Sequence, residues 1–317
     1  GYFYDEWNVH SGDYYRDWCC VREKIATPAA DEPRFSRSLL RYADQIRHVF
    51  ERLKPEETRE ETRLLEGDSI NLDLFMEYIS QREHKPNTEM RFYNKPLTEK
   101  RDIAAAILLD LSGSTAEDLA RDGTTEKGTR QSEEAHPYCA QEQNKKTVLD
   151  IEKEAAFVLA NGLNILGDRF AVYGFTGTGR ENCLFSIMKE FGQKWNRERV
   201  RALMSSRSGS STRIGAALRH AGQKLSSHDA KTKLLLLITD GKPCDQGYDT
   251  ANSYAQHDVR KACQENMRER IHTFCISTAE NTPADMELMF PRGRYLILKD
   301  ISRLPDVLSR SYLQLTR

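Results

Sequence analysis

Asp110, Ser112 and Ser114 stand on alternate residues directly after an apolar run, Ile103 to Leu109. Alternate residues of an extended segment point the same way. The spacing therefore turns one carboxylate and two hydroxyls toward one side, a set of hard oxygens that suits Mg²⁺ or Ca²⁺. Asp and Ser are also ordinary turn residues after a strand, so the triplet alone leaves both roles open. Two later segments bear on the choice. Leu234 to Ile238 is a second continuous apolar run, and it ends in Thr239-Asp240-Gly241. Ser210-Ser211-Thr212-Arg213 is a polar loop that leads into the helical spacing of Ile214, Ala217, Leu218, Ala221 and Leu225. Continuous apolar runs mark strands buried on both faces, as in parallel sheets. In open α/β sheets, ligands bind at the carboxyl ends of the strands. Asp110 and Asp240 are then expected on one edge, with Thr212 within reach from a neighbouring loop.

The elements that must hold these residues read as follows. Leu39, Leu40, Ala43, Ile46, Val49, Phe50 and Leu53 recur in steps of three and four and predict an amphipathic helix. Ser36 or Ser38 can cap it, and Pro55 ends it. Pro55 to Arg63 is dense in Glu and reads as a solvated helix or linker, and a further helix is expected from Asn71 through Ile79. Phe92 and Tyr93 read as a short strand leading into the main sheet. Before all of these, Gly1 to about Ala30 is rich in aromatic residues and reads as an irregular arm that packs its rings on a larger body.

From Ile103 onward strands alternate with helices, which implies βαβ crossovers and a mainly parallel sheet. The helix with Val148, Ile151, Ala155, Val158, Leu159, Leu163 and Leu166 on its apolar side is expected to expose Asp150, Glu152, Lys153 and Glu154. Strands are expected at Phe170–Phe175, Leu184–Phe191, Ile271–Ile276 and Tyr295–Leu298, helices at Trp195–Met204, Ala255–Arg268 and Ile301–Leu315. The polar, aperiodic stretch 119–147 reads as an insertion hanging over the Asp110 loop. This divides the chain into an aromatic arm and helical region, 1–100, and an α/β domain, 101–317.

Composition narrows the function classes. Lys and Arg total 47 against 48 Asp and Glu, so the basic excess of a nucleic-acid binder is missing. No apolar run approaches a bilayer span, and no signal-peptide pattern precedes the first elements. Because Gly1 is not Met, the chain reads as a fragment or a processed form. The 7 cysteines are odd in number and form no Cys-x-x-Cys pair, which fits a reduced, cytoplasmic setting. His136 and Cys139 lie close together in sequence but lack a second ligand pair.

Asp110, Ser112, Ser114, Thr212 and Asp240 together match the Asp-x-Ser-x-Ser, Thr and Asp pattern of a metal-ion-dependent adhesion site, and the chain here resembles von Willebrand factor A domains. The resemblance implies a Rossmann-like, doubly wound, mainly parallel sheet. It also implies that Ser112, Ser114 and Thr212 touch the metal, and that Asp110 and Asp240 hold it largely through water. Mg²⁺ wants six oxygens. With neutral hydroxyls as its direct ligands it would stay electrophilic and keep one position for an outside carboxylate. Ca²⁺ or Mn²⁺ would suit the same donors.

Further strings narrow the resemblance. They are Val148-Leu-Asp-Ile-Glu-Lys153, Gly167-Asp-Arg-Phe-Ala-Val-Tyr-Gly-Phe175, Thr212-Arg-Ile-Gly-Ala-Ala-Leu-Arg-His220, Leu235-Leu-Leu-Ile-Thr-Asp-Gly-Lys-Pro243, Tyr4-Asp-Glu-Trp7 and Asp13-Tyr-Tyr-Arg-Asp-Trp18. Together they are similar to the carboxy-terminal part of the NorD/CbbO family, activation proteins for nitric oxide reductase and Rubisco. The resemblance implies a non-catalytic adaptor with two partners: a MoxR-type AAA+ ATPase, and a target enzyme that offers a carboxylate to the metal. The insertion after Asp118 is longer than the family pattern leads one to expect.

Catalytic alternatives meet specific obstacles. A phosphatase using Asp110 would need a second Asp two residues on, where Ser112 stands. A dinucleotide site would need Gly-x-Gly-x-x-Gly after the first strand, and Leu-Ser-Gly-Ser-Thr follows instead. There is no Walker A loop. Ser114 lacks the Gly-x-Ser-x-Gly frame of a serine hydrolase, and His220 falls on a helix, where a packed or solvent-facing role is expected.

Overall fold

A computed structural model describes residues 1–28, 30, 35–52, 58–84, 89–98, 102–116, 147–241, 243–248, 253–278 and 283–298. In chain order the strands and helices are β1 (Tyr2–Asn8), β2 (Asp13–Ile25), α1 (Arg37–Arg52), β3 (Thr58–Leu64), β4 (Ser69–Ile70), α2 (Leu72–His84), β5 (Tyr93–Thr98) and β6 (Ile103–Asp110). They continue with α3 (Val148–Leu166), β7 (Arg169–Gly177), β8 (Cys183–Lys189), α4 (Arg197–Met204), α5 (Ile214–Ser226) and β9 (Thr232–Thr239). The last are α6 (Tyr254–Arg268), β10 (Ile271–Ser277), α7 (Pro283–Met289) and β11 (Tyr295–Ile297). The expected insertion and the expected last helix fall almost wholly outside the described residues, as do His136 and Cys139.

The main sheet has the order β1-β2-β8-β7-β6-β9-β10-β11. Its two apolar runs lie side by side at the centre, β6 parallel to both β7 and β9. Every residue of β6 is buried, and the strand period divides them between two cores. Ala105, Ile107 and Leu109 join Leu234, Leu236 and Ile238 under α3. Ala104, Ala106 and Leu108 join Leu235 and Leu237 under α5 and α6. An alternating sequence would cover only one face; these uniformly apolar runs require helices on both.

The helix spacing holds for α1, whose Leu39, Ile46 and Phe50 are buried against α3. Ser36 Oγ caps it, accepting from the Leu39 N–H at 3.1 Å. The close approach depends on Gly162 of α3, where an added Cβ would stand 3.1 Å from Phe50 and 3.2 Å from Ile46. α3 itself starts at a capping box: Thr147 Oγ1 accepts from the Asp150 N–H, and Asp150 Oδ2 accepts from the Thr147 N–H.

Four expectations are corrected. Residues 2–25 are an antiparallel hairpin, not an irregular arm, and β2 continues the main sheet by pairing parallel with β8, Val21 opposite Cys183. Those strands therefore share a sheet with the domain predicted to begin at 101. The Glu-dense stretch holds a strand, β3, rather than a helix or linker, and β5 pairs with β3 and β4 in a separate three-stranded sheet. Finally, α3 buries Glu152, Lys153 and Glu154. Glu152 lies three residues from both Leu149 and Ala155, so it falls on the core stripe despite its charge.

Candidate metal site at the sheet edge

Asp110 is the last residue of β6 and is fully buried. Its geometry follows from the parallel register, in which Leu109 faces Ile238 of β9. The next pair upward sets Thr239 against Asp110, and Thr239 Oγ1 donates to Asp110 Oδ2 at 2.6 Å. The chain then turns, and the Ser112 N–H donates back to Asp110 Oδ1 at 2.9 Å. A single 3-10 turn, Gly113–Ala116, carries Ser114, whose Oγ lies 3.0 Å from Ser112 Oγ.

Backbone bonds stitch this turn to the loop before α5. The Gly113 N–H donates to Ser210 O at 2.8 Å and the Gly209 N–H to Leu111 O at 2.6 Å. That stitching brings Thr212 Oγ1 to 3.4 Å from Asp110 Oδ1, a long hydrogen bond. Asp240 follows β9, is 3% exposed, and lies near enough for its charge to act on Asp110. The five residues singled out in the sequence are thus brought to one edge: four linked by hydrogen bonds, and Asp240 through its field.

Burial and then the Asp240 charge push the Asp110 carboxyl up to about 7, against the hydrogen bonds from Thr239 and Ser112. Among the described residues Asp110 has no Lys or Arg partner. A divalent cation fits this donor set on two grounds: hydroxyls gather at the edge, and a buried carboxyl there has no cationic partner among the described residues. No three His, Cys, Asp or Glu side chains among the described residues group closely enough to form a cage of their own.

Sequence reasoning missed several residues here. Thr239 was quoted only as part of its strand. Glu152 of α3 was assigned to solvent, yet it is 0% exposed. Thr278 Oγ1 donates to Glu152 Oε1 at 2.7 Å. Burial first, and then the Asp110 charge, raise the Glu152 carboxyl well above its ordinary range. Only its spacing within α3 could have flagged it.

A second set of charges fixes the Thr212 loop. Arg213 occupies the N-cap position of α5 but makes no cap bond, and a cation there opposes the helix dipole. Its side chain is drawn instead into a buried clamp, with Nη1 2.5 Å from Glu6 Oε2 of β1 and Nε 2.6 Å from Asp245 Oδ2. Tyr254 OH donates to the other Glu6 oxygen at 2.7 Å, and the Gly179 N–H donates to Asp245 Oδ1 at 2.9 Å. The Thr212 N–H donates to Cys244 O at 2.9 Å. The hairpin and the loop after β9 therefore grip Thr212 from both sides. His220 is packed: Tyr4 OH lies 2.7 Å from its Nδ1 and Glu23 Oε1 3.0 Å from its Nε2.

The doubly wound sheet and this edge define a von Willebrand factor A fold. The family model described as von Willebrand factor type A domain matches residues 148–310, and the chain belongs to that family. The match contains Thr212 and Asp240 and begins beyond the Asp110 loop. More particularly the chain is NorD-like. It is 29% identical to a protein named NorD from Brucella suis over 98% of this chain and 45% of that protein. It is 26% identical to a NorD of Stutzerimonas stutzeri over 93% and 44%. The chain thus spans about half the length of the curated relatives it matches. Among solved structures, the PilB minor pilin of Streptococcus sanguinis superposes with a TM-score of 0.48 at 14% identity, covering 71% of this chain and 64% of that one. No helix among the described residues is long and apolar enough to cross a membrane.

Proposed function

We propose that this chain is a non-catalytic, Mg²⁺-dependent adaptor that captures an acidic residue of a protein partner at the Asp110 edge. Ser112, Ser114 and Thr212 would hold the ion directly, and Asp110 and Asp240 would hold it largely through water. When bound, the cation supplies a positive centre with one position open to an outside carboxylate. Asp110 orients the set, because its two oxygens accept from Ser112, Thr212 and Thr239. The observation that carries the reading is the gathering of three hydroxyls around a buried carboxylate that no described Lys or Arg neutralises.

The NorD-like sequence supports the partners: a MoxR-type AAA+ ATPase, and a target enzyme of the nitric oxide reductase or Rubisco type, in the cytoplasm. A phosphatase reading is less well supported. The Asp110 carboxylate is fully buried with both oxygens engaged, and a serine occupies the position of the second acid. The test is capture of the purified ATPase and target by the immobilised chain in Mg²⁺ and in EDTA. Capture lost in EDTA, and lost in Thr212→Ala without loss of fold, is expected; capture unchanged in EDTA would overturn the adaptor role.

A further inference from the structure

Glu152 is a buried carboxylate for which packing alone gives no reason. It projects from the second turn of α3 onto the core stripe and is 0% exposed. One oxygen accepts from Thr278 at the end of β10. The other, Oε2, has no hydrogen-bond partner among the described residues. The Thr278 N–H donates in turn to Thr239 O at 3.1 Å, and Thr239 Oγ1 donates to Asp110, so hydrogen bonds through Thr278 and Thr239 join Glu152 to the candidate metal site. An ionised carboxylate left this way in a low-dielectric interior is costly. A structural acceptor for Thr278 would need only an amide or a carbonyl.

We propose that Glu152 is a sixth residue of the metal site: a positioning residue that acts on the cation from beyond the hydroxyl ligands, through its charge and its unpaired Oε2. This rests on the metal-site reading above. It joins α3 and β10 to a site otherwise built from β6, β9 and the Thr212 loop. With Glu152 included, the acids of the site come from β6, from α3 and from the turn after β9. Groups that support the direct ligands of a metal typically contribute about 10- to 100-fold in affinity.

The experiment is calorimetric titration of the intact chain with Mn²⁺ and Mg²⁺, paired with melting curves of the metal-free protein. Glu152→Gln is expected to bind Mn²⁺ about 10-fold more weakly while melting, metal-free, at the same temperature as the native chain or higher. Glu152→Asp, which keeps the charge, should retain more affinity than Glu152→Gln. Asp110→Ala should bind no metal. If the native chain binds and Glu152→Gln binds equally well, the role of Glu152 is overturned and the metal site stands. A markedly lower metal-free melting temperature for Glu152→Gln would make it a structural acceptor and also overturn the role. If the native chain binds neither ion, the metal-site reading fails first and takes this inference with it.

Discussion

Two buried charged clusters flank the Thr212–Arg213 loop, and they are built on opposite plans. Around Arg213 each acid has a cationic partner: the one guanidinium meets both Glu6 and Asp245, and the backbone N–H of Gly179 completes Asp245. Around Asp110 the acids accumulate, with Asp240 and Glu152 adding their charges. The ionisation of the two aspartates records the contrast. Burial would raise Asp245, but the Gly179 and Gln246 N–H groups and Arg213 outweigh it and hold it below its ordinary value. Burial and Asp240 together carry Asp110 up to about 7. The paired cluster is a fastening, its acids held by one guanidinium. The unbalanced one is a deficit that a cation would fill, and the fastening holds Thr212 in place beside it.

The contrast is broken most severely by removing the cation that pairs with both acids of the first cluster. Arg213→Leu leaves Glu6 and Asp245 buried and unpaired, and a loss of about 3–5 kcal/mol is expected. Denaturant unfolding measures it, and a loss below 1 kcal/mol would mean the clamp is not a fastening.

The next largest effect is on the second cluster and depends on pH. The Asp110 carboxyl is raised from 3.8 to about 7 in the folded chain, so folding favours its protonated form. That contribution is complete below about pH 4 and is lost as pH rises toward 7. The metal-free chain should lose roughly 1.4 kcal/mol per pH unit across this window relative to Asp110→Asn. Saturating Mg²⁺ should flatten the difference; a difference unaltered by Mg²⁺ would separate the carboxylate from any ion.

Gly162→Ala sharpens the comparison by disturbing neither cluster. A Cβ there meets Phe50 and Ile46 at 3.1 and 3.2 Å, and overpacking of this kind costs about 1–3 kcal/mol. Stability should fall while Mn²⁺ affinity is unchanged. The smallest effect is expected at Arg16, whose pairing with Asp5 is exposed on the hairpin. Arg16→Ala should cost less than about 1 kcal/mol and vanish in high salt, unlike any change to the buried clamp.

Legibility followed periodicity. β6 and β9 were plain because a strand buried on both faces must be apolar throughout, and both runs end in the acids that mark the edge. The caps at Ser36 and Thr147 bracket helices whose spacing was equally plain. The hairpin was not, because β2 alternates aromatic and charged residues that are mostly solvent-exposed. Nothing local says that such a ribbon joins a parallel sheet at β8. β3, with the sequence Thr-Arg-Glu-Glu-Thr-Arg-Leu, has one apolar residue and no apolar period.

The sequence by itself determined the central strands, the turn chemistry that follows them, and five oxygen-bearing side chains at spacings a metal could use. Only the tertiary structure decided that Glu152 turns inward, that Arg213 leaves the helix end for Glu6 more than 200 positions away, and that Thr239 donates to Asp110. The physical reason is that burial and charge pairing are properties of neighbours. A local pattern fixes which way a side chain points, whereas what waits there is settled by strands and helices from distant parts of the chain.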